Sequence, residues 1–265
     1  MSNTTSNYGT FPFGKKVLTV SQTDRTPKPV FVLGVYSSAV FAQFKQYNTD
    51  TVIRNIHIDN EPEIFWSGGQ ERIRKIISEL KLTKSTGRLI PEPSSINGIT
   101  GRSLDKYYLH PLKLKRDNVW LCNLIPHLVL NRNERKSIKK YNDLSSELNL
   151  VKASIPTKKQ RRDFITKKRL REIIEEIFQS RAEVIISLGQ QPLKWFFKEF
   201  DNDLRNLLSI QTYGLITEVK IESVNFKLIP LFHPRQLLKE KNIDTRVGLL
   251  HYDWIKNKAK KIKLV

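Results

Sequence analysis

Hydrophobic and polar residues are arranged along the chain in short apolar runs and in stretches with helical spacing. Apolar runs bounded by glycine, proline or polar turns predict strands at 30–34, 52–58, 118–125, 183–189, 219–226 and 227–232. Helical spacing and helix-start signals predict helices at 39–44, 71–82, 103–110, 167–181, 189–200 and 251–261. Strands and helices therefore alternate along most of the sequence.

This alternation is typical of an α/β protein with a largely parallel sheet. We therefore predict a three-layer α/β/α fold around a central, mostly parallel sheet of four or five strands. With 265 residues, of which 39% are hydrophobic, the chain can bury one sizeable core. We expect a flexible N-terminal tail over residues 1–27 and a single domain over 28–265, with a basic insertion at about 131–168.

The net charge is strongly positive, because 46 lysines and arginines stand against 26 aspartates and glutamates, which gives +20. This surplus favours a polyanionic partner, DNA or RNA, through phosphate contacts and the release of counterions. An anionic membrane surface is the weaker alternative, since the sequence shows no long apolar run or basic amphipathic anchor. The basic segment from Arg132 through Arg169, which includes this insertion, is the predicted phosphate-contacting surface, and its residues include Lys158, Lys159, Arg161, Arg162 and Arg169.

Cysteine and histidine usage argues against several kinds of site. The single cysteine, Cys122, excludes an intramolecular disulfide framework. Together with five scattered histidines, it disfavours structural zinc and metal catalysis. We therefore expect neither a metal nor an organic cofactor. The polar start of the chain lacks the apolar core of a secretory signal, so we expect a cytoplasmic protein.

The last predicted strand runs directly into a histidine that is held by a proline. Pro234 fixes its own φ angle and biases His233 towards an extended conformation. In open α/β sheets, ligands bind at the carboxyl ends of the strands. His233 is therefore a candidate catalytic residue with little backbone freedom.

Other segments that could bind a ligand also follow predicted strands. These segments are 34–38, 122–123 and 187–189. Each alone is typical of an ordinary strand end, but together they predict a single ligand-binding crevice. A loop rich in glycine, serine and asparagine at 91–103 makes backbone amides available to a ligand, with Gly101 and Arg102 as expected DNA contacts. His57 and His127 are weaker candidates near strand ends.

The order of four motifs, GVYSSA, WLCN, ISLGQQPL and LFHPRQL, resembles the uracil-DNA glycosylase superfamily over roughly residues 28–255. That family has a Gly-x-Asp/Asn-Pro turn, a base-recognising asparagine after a strand, and a His-Pro loop that enters the minor groove. The resemblance implies that Asn123 binds the edge of a flipped base and that His233 stabilises the leaving base. It further implies base contacts from Gly34 and Tyr36 and DNA contacts from Ser37, Ser38, Arg235, Gln236 and Leu237.

The first motif departs from the family pattern. Tyr36 stands where the family places the acidic or amide residue that positions water, and Ser37 replaces the proline. A tyrosine hydroxyl is neutral near pH 7 and cannot act as a carboxylate. The nearest acidic cluster supplies candidates for this role, with Asp59 ranked first and Glu61 second. Alternatively, Tyr36 stacks on the extruded base or excludes some bases from the pocket.

These observations predict a monomeric DNA glycosylase that acts on double-stranded DNA. It would flip a non-standard pyrimidine, uracil or a modified cytosine such as those of phage DNA, and hydrolyse the glycosidic bond to leave an abasic site. Its role would be DNA repair or antiviral defence. The main alternative is a catalytically inactive DNA-binding module of the same fold. An RNA-binding protein is less favoured, because aromatic residues for stacking are sparse in the basic segment.

Overall fold

The computed structural model describes residues 7–83, 85–157, 163–238 and 246–262. The chain divides into two compact units, each built from three separate stretches. The first unit consists of Met1–Val20, Tyr36–Ile99 and Ile125–Asp163. The second unit consists of Ser21–Val35, Thr100–Leu124 and Phe164–Val265.

The strands form two sheets. In chain order they are β1 (Val30–Ser37), β2 (Ala39–Gln46), β3 (Val52–Asn60), β4 (Gly87–Pro91), β5 (Val119–Leu128), β6 (Val184–Leu188), β7 (Thr217–Ile221) and β8 (Val224–Leu231). The larger sheet has the order β5-β1-β6-β8-β7. In it β6 pairs in parallel with both β1 and β8, whereas β7 runs antiparallel to β8. This sheet confirms the predicted α/β class with a mostly parallel central sheet.

The α-helices are α1 (Gln70–Ser78), α2 (Ile99–Leu104), α3 (Arg132–Ser145), α4 (Lys167–Ser180), α5 (Gln190–Trp195), α6 (Pro234–Leu238) and α7 (Arg246–Asp253). Two π-helical segments, Asp105–Leu109 and Trp254–Lys258, directly follow α2 and α7. Within the described part of the chain, no helix has the length and apolar character needed to cross a membrane.

Burial explains why the central strands read as continuous apolar runs. All five residues of β6 are buried, and Val184 to Ser187 lie opposite Val30 to Leu33 of β1. A parallel strand covered on both faces has no solvent side, so apolar residues do not alternate with polar ones. The predicted boundary between the last two strands was wrong, because β7 ends at Ile221 and the turn lies at Glu222, whose φ is +53°.

The smaller sheet belongs to the first unit and has the order β3-β2-β4, with antiparallel pairing throughout. The prediction of a helix over 39–44 was wrong, because β2 pairs with both of its neighbours there. Its register with β3 shifts between Val40 and Phe41 and again between Ala42 and Phe44. Such bulges place consecutive residues on unexpected faces and remove the period of two from the sequence.

The core of the first unit includes residues that were predicted to lie outside any core. Phe11 and Val17 are completely buried, so the prediction of a flexible tail is wrong for this part of residues 1–27. Ile138 and Tyr141 of α3 are buried in the same core, although they belong to the predicted basic insertion. Asn131 caps α3 by accepting from the backbone N–H of Glu134 at 3.1 Å.

Candidate functional site

His233 lies in a short connection between β8 and α6, in the second unit. Its backbone N–H donates to Oε1 of Gln236 at 3.0 Å, and the backbone N–H of Gln236 donates to the carbonyl of His233 at 2.8 Å. Gln236, predicted to contact DNA, therefore closes this turn with its own side chain. Arg235 and Leu237 lie on α6, where the sequence predicted a loop, and Arg235 is exposed.

The imidazole of His233 is oriented by the next turn of backbone. The N–H of Arg235 donates to Nδ1 of His233 at 3.2 Å. A ring nitrogen that accepts a hydrogen bond carries no proton, so in the neutral ring the proton lies on Nε2. The backbone therefore selects the tautomer in which Nε2 is a hydrogen-bond donor.

Gly189 at the end of β6 contacts the same histidine. Its N–H donates to the carbonyl of Leu231 at 2.7 Å, and its φ angle is +92°. A Cβ atom at this position would lie 3.3 Å from Cβ of His233, which is a tight contact. The sequence predicted 187–189 as a strand end, but it did not show that Gly189 lies in close contact with His233.

Asn123 lies inside β5 and is 2% exposed. Among the described residues, its Oδ1 atom is buried and has no hydrogen-bond partner. An unsatisfied buried acceptor costs about 1–3 kcal/mol. A ligand that brings an N–H group to this oxygen would recover that cost.

Arg169 of α4 holds the backbone of β5 around Asn123. Its guanidinium donates to the carbonyl of Asn123 at 2.7 Å and to that of Leu124 at 3.1 Å. It also pairs with Glu172 at 3.2 Å and with Glu176 at 3.5 Å. The prediction that Arg169 belongs to the phosphate-contacting surface was wrong, since its side chain is 11% exposed and fully engaged inside the second unit.

The first motif belongs to an extended strand, whereas the sequence predicted a segment that follows the strand. Gly34 is buried in β1, which continues through the half-buried Tyr36 to Ser37. Ser38 alone separates β1 from β2. The hydroxyl of Ser37 is buried and, in the described part of the chain, has no hydrogen-bond partner.

The structure brings Glu61 to the first motif. Glu61 is 4% exposed, and its Oε1 accepts from the backbone N–H of Ser38 at 3.0 Å. Asp59 on β3 instead pairs with Lys15 at 3.5 Å and accepts from the N–H of Asn60 at 2.8 Å. The structure therefore places Glu61, and not Asp59, at Ser38 of the first motif, whereas the sequence ranked Asp59 first.

The other predicted site residues lie in a helix, in aromatic contacts or outside the described residues. Gly101 and Arg102 lie in the short helix α2, so the prediction of a loop was wrong for these two residues. His57 packs on the ring of Phe41 at 4.6 Å, and His127 stacks on Tyr8 at 3.8 Å. The predicted DNA contacts Lys158, Lys159, Arg161 and Arg162 lie outside the described residues. No group of three or more metal-binding side chains occurs among the residues that are described.

Comparison with protein families matches residues 65–252 to the uracil DNA glycosylase superfamily. The match covers more than two thirds of the chain and includes Asn123, Gly189 and His233, whereas Tyr36 and Glu61 precede it. A search of curated proteins finds no match. The mostly parallel central sheet agrees with the fold of this superfamily, whose members bind DNA and generally hydrolyse N-glycosyl bonds. The chain belongs to the uracil DNA glycosylase superfamily.

Proposed function

We propose that this protein is a DNA glycosylase that flips a non-standard pyrimidine out of duplex DNA and hydrolyses its N-glycosidic bond. The observation that carries the proposal is the orientation of His233. The backbone N–H of Arg235 donates to Nδ1, so the neutral ring carries its proton on Nε2, and Gly189 lies close to the Cβ atom of His233. A preorganised donor of this kind is what the departing base requires.

Cleavage of an N-glycosidic bond separates charge. Positive charge develops on the sugar, and negative charge develops on the base as the bond breaks. A donor that is already aimed at the base oxygen stabilises that charge without reorganising during the reaction. His233 supplies this donor in the proposal, and no metal or organic cofactor takes part in it.

Asn123 is the proposed base-reading residue. Its buried Oδ1 would accept an N–H from the Watson–Crick edge of the flipped pyrimidine, which would satisfy the oxygen. Arg169 fixes the backbone that follows this side chain through its contacts to the carbonyls of Asn123 and Leu124. Recognition in this arrangement depends on a rigid strand, since a displaced Asn123 would present its amide at the wrong place.

Glu61 is the proposed carboxylate for the positively charged half of the reaction. Its side chain accepts from the backbone N–H of Ser38, which belongs to the first motif. In this motif the family places its water-positioning residue, and this chain has Tyr36 at that position. A carboxylate there can orient the attacking water or stabilise the sugar cation. Asp59 remains the competing candidate, although its pairing with Lys15 already neutralises part of its charge.

The positive charge of the chain supports binding to duplex DNA. A net charge of +20 provides many phosphate contacts, and Arg235 on α6 is exposed next to the proposed catalytic histidine. Arg235 and Leu237 would enter the space that the flipped nucleotide leaves. The proposed substrates are uracil and modified cytosines such as those of phage DNA, with Tyr36 contributing to the choice between them.

The test is an excision assay on end-labelled duplexes that carry uracil, hydroxymethylcytosine or glucosylated hydroxymethylcytosine. Abasic sites are detected as strand breaks after alkali. In His233→Ala, loss of one charge-stabilising donor is expected to lower the single-turnover rate about 10²–10³-fold. His110→Ala, which removes an exposed histidine, is the matched control and keeps the wild-type rate. Salt-dependent binding of every duplex without abasic sites would establish the alternative, a catalytically inactive DNA-binding module.

A further inference from the structure

A buried chain of hydrogen bonds lies directly behind His233 in the second unit. The hydroxyl of Tyr108 donates to the carbonyl of Phe232 at 2.7 Å, and the N–H of Phe232 donates to the hydroxyl oxygen of Tyr213 at 3.3 Å. Tyr213 continues the chain to Nδ1 of His251 at 2.5 Å, and Nε2 of His251 contacts the carbonyl of Tyr107 at 2.9 Å. These contacts hold both peptide groups of the residue that precedes His233.

The chemistry of the groups fixes the direction of each bond. The carbonyl of Tyr107 can only accept, so Nε2 of His251 carries a proton. Nδ1 of the neutral ring is then an acceptor, and the hydroxyl of Tyr213 donates a hydrogen bond to it. The oxygen of Tyr213 keeps lone pairs for the N–H of Phe232. Every donor therefore has one acceptor, which is the condition under which a buried polar network is rigid.

Packing restricts the same residues. Tyr213, Tyr108 and His251 are almost completely buried, and the ring of Phe232 stacks on that of Tyr213 at 4.4 Å. Burial lowers the pKa of His251 to about 4, so the ring is neutral at physiological pH. Tyr107 and Tyr108 lie in one π-helical segment, and such segments are rare and frequently occur at functional sites.

We propose that Tyr108, Tyr213 and His251 are positioning residues that fix the Phe232 peptide and thereby place the imidazole of His233. The proposal rests on the proposed function of His233 as the donor to the departing base. None of the three residues touches the substrate in this arrangement. They act through the backbone, because a rotation of the Phe232 peptide would move His233 away from Gly189 and from the N–H of Arg235.

Tyr213→Phe and Tyr108→Phe test this proposal, because each removes a hydroxyl and keeps the ring. Tyr141→Phe is the matched control, since the Tyr141 hydroxyl also donates to a backbone carbonyl (2.8 Å) and accepts a backbone N–H (3.0 Å), but in the first unit. The deciding measurement is the ¹⁵N spectrum of histidine-labelled protein, in which His233→Ala assigns the His233 signals. The second measurement is kcat and KM of base excision, on a duplex from which the wild-type protein removes a base.

In the wild type, His233 should show the pattern of a ring with its proton on Nε2. In Tyr213→Phe and Tyr108→Phe, the signals should move towards the average of the two tautomers, and kcat should fall about 10-fold to 100-fold at unchanged KM. Tyr141→Phe should change neither. Unchanged His233 signals in both variants, or equal changes in Tyr141→Phe, would overturn the positioning role. If the signals move as expected but the wild type excises no base, the proposed function fails and the positioning role stands.

Discussion

Replacement of Glu61 by glutamine separates the chemical role of this carboxylate from its structural one. Glutamine keeps an oxygen that can accept from the N–H of Ser38, which Glu61 binds at 3.0 Å, but it removes the negative charge. A hydrogen bond to a charged group contributes about 1.5–3 kcal/mol and a neutral one about 0.5–1.5 kcal/mol, so the expected loss of unfolding free energy is about 1 kcal/mol. A loss of that size lowers Tm by about 2–4 °C in a domain of 150–250 residues.

The loss of activity should be far larger than the loss of stability. A positioned carboxylate contributes about 10²–10⁴-fold to a rate, so Glu61→Gln should lower the single-turnover excision rate by that factor. Asp59→Asn is the comparison, because Asp59 is a partly exposed member of a pair with Lys15, and breaking such a pair costs about 0–1 kcal/mol. The assay is abasic-site formation at saturating protein. Wild-type excision by Glu61→Gln, combined with loss of excision in Asp59→Asn, would refute the assignment.

Three further predictions concern the surroundings of the site. Gly189→Ala places a side chain at a φ of +92° and against His233, so it should cost about 1–3 kcal/mol in chemical denaturation and also slow excision; an unchanged midpoint would contradict it. Arg169→Lys cannot supply both carbonyl contacts, so we expect a loss of about 1–3 kcal/mol and weaker binding of flipped-base duplexes, and wild-type values for both would argue against the role given to Asn123. Folding lowers the pKa of His251 from 6.5 to about 4, so between these pH values the unfolded state binds more protons than the folded state. The free energy of unfolding, measured by urea titration, should therefore fall by about 3 kcal/mol as the pH drops from 7 to 4. The variant His251→Gln should lack this part of the pH dependence.

The central sheet could be predicted from sequence because its strands are buried on both faces. Val184 to Leu188 is apolar except for Ser187, and its parallel pairing follows from the helices on either side. The smaller sheet could not be predicted in the same way. Two register shifts in β2 remove the alternation that identifies a half-buried strand, so Ala39 to Phe44 resembled a short helix.

The error in β2 also explains why the sequence did not show that Glu61 reaches Ser38. Which acid reaches Ser38 depends on the antiparallel pairing of β3 with β2, in which Asn60 lies opposite Ala39. Glu61 follows directly and turns back to Ser38. Without that pairing, Asp59 and Glu61 were two acids in one turn, and the sequence offered no reason to prefer the second.

Arg169 carried a signal that the charge pattern concealed. It follows Lys167 and Lys168, so the run was taken as one basic surface. Helical spacing from Arg169 leads to Ile173 and Glu176, both of which are buried. A cation on the buried face of a helix, in step with a buried carboxylate, indicates a structural pair. The His233 segment, in contrast, was identified from sequence because Pro234 and the preceding apolar strand define it locally.

Excision of a pyrimidine by this protein is best tested by identifying the released base. Wild-type protein is incubated with unmodified duplex and with duplexes carrying uracil, hydroxymethylcytosine or its glucosylated form, and the small-molecule fraction is analysed by mass spectrometry. At least one non-standard duplex should release its free base together with an equal amount of abasic sites, while unmodified duplex should remain intact. If every duplex is bound in a salt-dependent manner and none releases a base, the protein is not a glycosylase for these substrates and the claim is contradicted.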